Sequence, residues 1–209
     1  YLNTSRRAAE LIKYASNGFL ATKISYINEI ANLCEKSSID VAEVSSGIGL
    51  DQRIGDRFLR AGPGYGGSCF PKDTRALLTT ANNFNTDLSI IRTVIKSNNN
   101  RNKLLTSNIE KIMKNNLKNK IITFLGVTFK AGTDDMRESP SLKIIPKLIK
   151  RGAFIKYFEP TGLKKEFNKL KNIKYCLSIK EACKYSDLLI IHTEWNEFKQ
   201  LNFKKLVKK

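Results

Sequence analysis

The hydrophobic period of this chain changes near residue 120, and no other feature restricts its fold as much. Up to that point apolar residues return every three or four positions, as a packed helix requires. Beyond it they collect into short runs, first Ile121-Ile122-Thr123-Phe124-Leu125 closed by Gly126, the pattern of a buried strand. Three further runs follow, at Ala153 to Phe158, Ile173 to Leu177 and Leu188 to His192. Helical stretches separate them. One is opened by Ser139-Pro140 and ends at Arg151 before Gly152, with Pro146 placed to kink it; a shorter one spans Ser178 to Tyr185. Strands alternating with helices mean βαβ units and a parallel sheet. The chain is therefore expected to be α/β, with an all-helical domain over residues 1–118 and a parallel-sheet domain over 119–209. The Asn/Lys-rich segment Lys114 to Lys120 marks the boundary by composition. Ligands of such sheets gather at the carboxyl ends of the strands, which singles out the polar loop Thr128 to Glu138.

The helical half opens with one long helix over residues 5–36. Leu11, Ile12, Ala15, Phe19, Leu20, Ile27, Ile30, Ala31 and Cys34 form a stripe expected to be buried. Gly18 interrupts it at a cost of roughly 1 kcal/mol relative to alanine. Lys13 and Asn17 stand four apart and project the same way, one turn from each other. Asp40 caps a second helix, predicted to reach Ser46 and stop at Gly47. Helical pattern resumes from Thr74, breaks near Asn82-Asn83-Phe84-Asn85, and continues as a long helix from Asp87 toward Leu117. A helix of that length connects domains or pairs with a copy of itself.

Between these helices runs Gly62-Pro63-Gly64-Tyr65-Gly66-Gly67-Ser68-Cys69-Phe70-Pro71-Lys72-Asp73. Its first six residues satisfy G-x-G-x-x-G literally. The dinucleotide fingerprint needs a buried strand before the first glycine, and here Arg57, Arg60 and Pro63 surround it instead. It is not read as a phosphate loop. Pro71 suits the first turn of a helix, which puts Cys69 at a helix N-terminus beside Lys72. Both surroundings favour a thiolate, so Cys69 reads as a catalytic nucleophile.

Composition excludes several classes. The longest aliphatic run, Leu188 to Ile191, is too short to cross a bilayer. Net charge is +18, with +3 on residues 1–100 and +15 on residues 101–209. No interleaved aromatic pattern accompanies that charge, so it reads as a lysine-biased surface or an anionic small-molecule site, not a nucleic-acid face. The four cysteines at 34, 69, 176 and 183 make no zinc or redox spacing, and no metal site is expected. With no export signal in view, reduced thiols in a cytoplasm are the expectation.

The twelve-residue cysteine stretch resembles the active-site signature of the UDP-glucose/GDP-mannose dehydrogenase family. Three more stretches carry the resemblance at matching spacing: Ala9 to Asn17, Gly49 to Gly55, and Leu125 to Pro140. The resemblance covers nearly the whole chain. It implies a helical central dimerisation domain followed by a Rossmann-like UDP-binding domain. The activity it implies is an NAD-dependent, four-electron oxidation of a nucleotide sugar at C6, with Phe-Pro-Lys-Asp and Leu-Asp-Gln-Arg-Ile-Gly most like the members acting on UDP-glucose. Carried over residue by residue, Cys69 holds the aldehyde as a thioester precursor, Lys13 and Asn17 support charge on the substrate oxygen, and Asp73 orients water. Phe58, Leu59, Arg60, Ala61, Gly62 and Gly66 would line the sugar nucleotide, joined by Lys130 and by Arg53 reaching substrate of a neighbouring subunit. Lys72 and Arg137 would contact NAD. The Asp134-Asp135 pair would shape the loop presenting Arg137, and His192 is expected to be structural.

A complete family member also has an N-terminal Rossmann domain with its own glycine fingerprint, absent from this sequence. The start at Tyr1 and the stop at Lys209, ahead of the family's last strand, predict a piece of a longer enzyme, inactive alone and served by a separate NAD-binding domain. Gly18 stands where the family usually has alanine, and Glu159-Pro160 where Asp-Pro is usual. Two alternatives stay open: a dehydrogenase for another sugar, such as a UDP-N-acetylhexosamine or GDP-mannose, and a non-catalytic sugar-nucleotide-binding or dimerising relic.

Overall fold

The computed structural model describes residues 3–206 and divides the chain into two compact units, Tyr1–Arg101 and Asn102–Lys209. Helix α1 (Arg6–Ser37) is opened by Ser5, whose Oγ accepts the Ala8 N–H at 3.2 Å, and ends at Ser38 in the left-handed region. The buried stripe is not the one expected. Leu11, Ile12 and Phe19 are exposed, whereas Gly18, Ala21, Ser25 and Asn28 are buried together with Ile27 and Cys34. Small residues let helices approach closely: a Cβ on Gly18 would lie 3.1 Å from Ile91 Cδ1 and 3.2 Å from Leu77 Cδ2. A methyl there would need Ile91 and Leu77 to yield by a few tenths of an ångström.

Helix α2 (Val41–Gly49) is capped by Asp40, whose Oδ1 accepts the Ala42 N–H at 2.8 Å. It passes through Gly47 instead of stopping there, because Gly47 keeps helical dihedrals and the turn comes after Gly49. Helix α3 (Phe70–Asn83) packs on α1, and α4 (Ser89–Ile112) follows after a short turn; the division between units falls within α4, after Arg101. Among the described residues of this unit no strand precedes the glycine loop, in line with rejecting it as a dinucleotide fingerprint.

The second unit is a four-stranded parallel sheet of β1 (Ile121–Leu125), β2 (Phe154–Phe158), β3 (Ile173–Tyr175) and β4 (Leu188–Ile191), in the order β3-β2-β1-β4. Helix α5 (Ser141–Lys150) joins β1 to β2, and α6 (Ile179–Cys183), capped by Ser178, joins β3 to β4. Pro140 already has helical dihedrals (φ −55°, ψ −30°), so the Ser-Pro entry has the expected shape, with regular hydrogen bonding starting two residues later. A 3-10 turn at Lys165–Phe167 and short helices α7 (Asn196–Lys199) and α8 (Phe203–Leu206) have no counterpart in the periodicity. The core gathers Ile122, Phe124, Ile144, Ile145, Leu148, Ile155 and Tyr157, all buried, with each aliphatic or phenylalanine side chain contributing about 1.5–3 kcal/mol.

Strand order reverses between β1 and β4, and there the chain packs closely on the residues after β4. Gly126 leaves β1 at φ +77°, with Thr193 Cβ 2.5 Å from where its own Cβ would be. Thr193 Oγ1 donates to the Thr128 carbonyl at 2.8 Å, fixing the start of the loop that follows β1.

Candidate active site

Cys69 occupies the N-cap of α3 with an exposed thiol, 3.8 Å from Ser68 Oγ. One turn into the helix, Asp73 is wholly inaccessible to solvent. Asn17 Nδ2 on α1 donates to Asp73 Oδ2 at 2.5 Å, and Lys72 Nζ lies 3.2 Å from Oδ1 as an ion pair. Burial alone would raise the Asp73 pKa, but the carboxylate lies just beneath the surface. The Asn17 hydrogen bond, the contact with Lys72, and the charges of Lys72 and Lys13 outweigh burial and hold it below its ordinary value. Lys72 is raised in return, chiefly by contact with Asp73, with Tyr14 and Cys69 adding smaller contributions. The structure thus brings Lys13, Asn17, Lys72 and Asp73 together, with Cys69 on the same helix turn.

The glycine loop is held by residues the sequence pattern did not single out. Asn28 Oδ1 accepts the Gly62 N–H at 2.8 Å, and Arg101 Nε donates to the Gly62 carbonyl at 3.0 Å. Asn98 takes both backbone groups of Tyr65, accepting its N–H at 2.9 Å and donating to its carbonyl at 3.1 Å. Gly64, at φ +112°, leaves no room for a Cβ, which would stand 2.6 Å from Asn98 Oδ1. Burial lowers the Arg101 pKa, offset in part by Glu35, and the side chain also donates to Asn32. A buried asparagine or arginine on a helix face was the available signal: each must find a partner, and a turn-rich loop supplies one.

Phe58 sits at φ 65° with its ring 6.0 Å from Phe70, and Tyr65 meets Phe70 edge-on at 6.1 Å. Leu59 and Gly66 are buried, Ala61 and Gly62 are half-buried, and Arg60 is exposed. Arg53 is exposed and clasped by Asp51, Nη2 to Oδ2 at 2.6 Å and Nε to Oδ1 at 3.0 Å. In the second unit, Asp135 clasps Arg137 the same way, at 2.9 and 3.0 Å, and also accepts its backbone N–H. Contact with Arg137 lowers the pKa of Asp135, as Arg53 lowers that of Asp51. Lys130 is exposed on the loop after β1, its ammonium 5.5 Å from the Phe129 ring. His192 is buried against Phe124, and desolvation lowers its pKa to about 4.

An exposed thiol on a pinned glycine loop, followed by a parallel-sheet unit with cations on its strand-end loop, is an arrangement whose family sequence comparison identifies. The central-domain profile of the UDP-glucose/GDP-mannose dehydrogenase family matches residues 7–100, and the family's UDP-binding-domain profile matches residues 123–209. The chain belongs to this family. Among curated relatives, it is 48% identical over 208 residues to a UDP-glucose 6-dehydrogenase of Rickettsia typhi, covering 99% of this chain and 48% of the relative. A UDP-glucose 6-dehydrogenase of Rhizobium meliloti is 45% identical over 203 residues, covering 97% and 46%. The solved UDP-glucose dehydrogenase of the hyperthermophilic archaeon Pyrobaculum islandicum superposes with a TM-score of 0.89 at 33% identity, covering 96% of this chain and 46% of that one. The chain spans about half the length of the curated relatives it matches.

Proposed function

We propose that these units are the catalytic-cysteine and UDP-binding parts of a UDP-glucose 6-dehydrogenase, which oxidises the C6 alcohol of UDP-glucose to the carboxylate of UDP-glucuronate. The observation that carries this reading is the exposed Cys69 thiol at the start of α3, one turn from a buried Asp73 tied to Asn17 and Lys72. NAD supplies the hydride acceptor for both oxidations when bound. The described residues offer its phosphates two exposed cations, Lys72 and Arg137, and no strand-to-helix glycine turn to cradle them. Turnover therefore calls for a dinucleotide-binding domain besides these two units.

Cys69 Sγ adds to the C6 aldehyde left by the first oxidation; the C–S bond forms and the carbonyl electron pair becomes a hydroxyl on taking a proton. Loss of hydride from that carbon and of the hydroxyl proton leaves a thioester, and water then cleaves the C–S bond to release carboxylate and thiol, its second proton passing to solvent. The cysteine holds the aldehyde between the two oxidations. Lys13 stabilises negative charge at the substrate oxygen. Asn17 has one amide hydrogen committed to Asp73 and the other left for that oxygen. Asp73 is assigned the orienting of the hydrolytic water, acting through Asn17 and Lys72, since its own oxygens are closed to solvent. Arg53, Phe58, Leu59, Arg60, Ala61, Gly62, Gly66 and Lys130 bind the sugar nucleotide, whose diphosphate matches the basic second unit. A chemistry that needs a reduced thiol suits the cytoplasm.

The unit also pairs with a second copy in this reading. Ile12, Phe19, Tyr26 and Leu33 follow one another at seven-residue intervals on α1 and are 46%, 65%, 53% and 63% exposed. An exposed apolar seam of this period is what a partner helix covers.

The test is to combine the chain with the dinucleotide-binding domain of such an enzyme, UDP-glucose and NAD, and follow NADH and UDP-glucuronate. The chain alone is expected to form no NADH, and the pair two NADH per UDP-glucuronate. Cys69→Ser should stop acid formation; acid made at an undiminished rate by that variant would remove Cys69 from its role.

A further inference from the structure

At the carboxyl end of β2 lies a buried polar chain that the proposed chemistry does not use. Glu159 is inaccessible to solvent and takes four donors. Its Oε2 accepts the N–H groups of Val127 at 2.7 Å and Thr128 at 3.3 Å. Its Oε1 accepts the Thr161 hydroxyl at 3.1 Å and the Thr161 N–H at 3.4 Å. That hydroxyl in turn accepts from Lys164 Nζ at 2.6 Å. Lys164 is itself buried, and its ammonium also donates to the carbonyls of Asp134 at 3.4 Å and Thr161 at 3.5 Å. An ammonium has three hydrogens and an ionised carboxylate about four lone pairs, so both ends of the chain are satisfied internally.

The two ends grip opposite feet of one loop. Glu159 holds Val127 and Thr128 where the chain leaves β1, and Lys164 holds Asp134 where it returns. Between the feet, Phe129 N–H donates to the Asp135 carbonyl at 3.3 Å and Thr128 Oγ1 to the Lys130 carbonyl at 3.0 Å. The part left projecting carries Lys130. A buried lysine and a buried glutamate are each costly to desolvate and are retained where their geometry specifies something.

We infer that Glu159, Thr161 and Lys164 form a clamp that positions the 128–135 loop, and through it Lys130, for a sugar-nucleotide ligand. They are positioning residues and touch no reacting atom. The inference rests on the proposed function for the identity of the ligand, but the clamp is readable without ligand.

The test uses the full chain with Lys164→Met and Thr161→Val. Amide exchange of Thr128 and Phe129, and trypsin cleavage after Lys130, are measured against the amides of β1. Loop exchange and cleavage should rise at least about tenfold with β1 protection unchanged, and the Kd for UDP-glucose should weaken about tenfold. Should Lys164→Met lose β1 protection as well, Thr161→Val, which removes only the bridging hydroxyl, decides the outcome. Loop exchange unchanged relative to β1 would overturn the clamp. A loosened loop with undiminished UDP-glucose affinity would overturn its positioning role. Failure of the unaltered chain to bind UDP-glucose would count against the proposed function, with the exchange result still deciding the clamp.

Discussion

Asn17 on α1 donates its side-chain amide to Asp73 on α3, 56 residues away, at 2.5 Å. This bond does two things at once. It compensates a carboxylate that has lost its water, and it fixes the turn of α1 bearing Lys13 against the helix that begins at Cys69. The placing of Lys13 and Cys69 and the local stability are therefore coupled through one side chain.

Asn17→Ala should show that coupling. A hydrogen bond to a charged group contributes about 1.5–3 kcal/mol, and the variant should lose an amount of that order. The pH dependence has a definite sign. Asp73 has a folded pKa below its ordinary 3.8, so its contribution is present above 3.8 and is lost as pH falls through the lowered folded value. Urea unfolding should find the gap between parent and variant full at pH 6 and narrower near pH 3. A gap independent of pH would mean Asn17 acts through packing alone.

Much of this was legible because the two halves differ in period. The parallel order of strands follows from β1 to β4 alternating with α5 and α6, and the Cys69 loop was legible because its glycines, proline and cysteine have few other uses together. The buried face of α1 was misread for a physical reason. That helix has two faces with apolar character, and packing chose the one with Gly18, Ala21 and Ser25, where backbones come close, over the one with larger side chains. Asn28, Asn98 and Arg101 escaped notice because their partners, Gly62 and Tyr65, are distant in sequence and bound through backbone atoms. The Glu159 clamp is hidden likewise: Glu159-Pro160 reads only as a variant dipeptide, and no sequence pattern marks Lys164.

Gly126→Ala should be among the more damaging single-methyl changes in the second unit. The residue sits at φ +77°, where a side chain costs about 1–2 kcal/mol. Its Cβ would also stand 2.5 Å from Thr193 Cβ, an atom near the backbone that cannot swing away. A loss of about 3 kcal/mol or more is expected, read as a lower denaturant midpoint. Pairing it with Thr193→Gly should recover part of the loss, since the clash goes but the strained φ remains.

His192 predicts an acid-sensitive sheet unit. Burial holds its imidazole neutral, with a folded pKa of about 4 against 6.5 when exposed. Between those values the unfolded chain binds the proton and the folded one does not, so stability is full above pH 6.5 and falls as pH drops toward 4. The loss from this group is of the order of 3 kcal/mol, at 1.36 kcal/mol per pKa unit. His192→Phe should flatten unfolding free energy against pH over that window, leaving any carboxylate limb below pH 4. An unchanged slope would place the titration elsewhere.

The exposed seam on α1 makes the last prediction. In the proposed pairing, Ile12, Phe19, Tyr26 and Leu33 meet a second copy, and a charge placed among them would have to be buried in the helix pair. Phe19→Asp and Tyr26→Asp should shift the chain to the monomer mass in light scattering at micromolar concentration. Both side chains are already exposed, so the fold itself should change little, by about 0.5 kcal/mol or less. The control is Phe84→Asp, a residue 75% exposed at the end of α3 and on a different helix from the seam. If Phe84→Asp dissociates the chain and the seam variants do not, the paired surface is not α1.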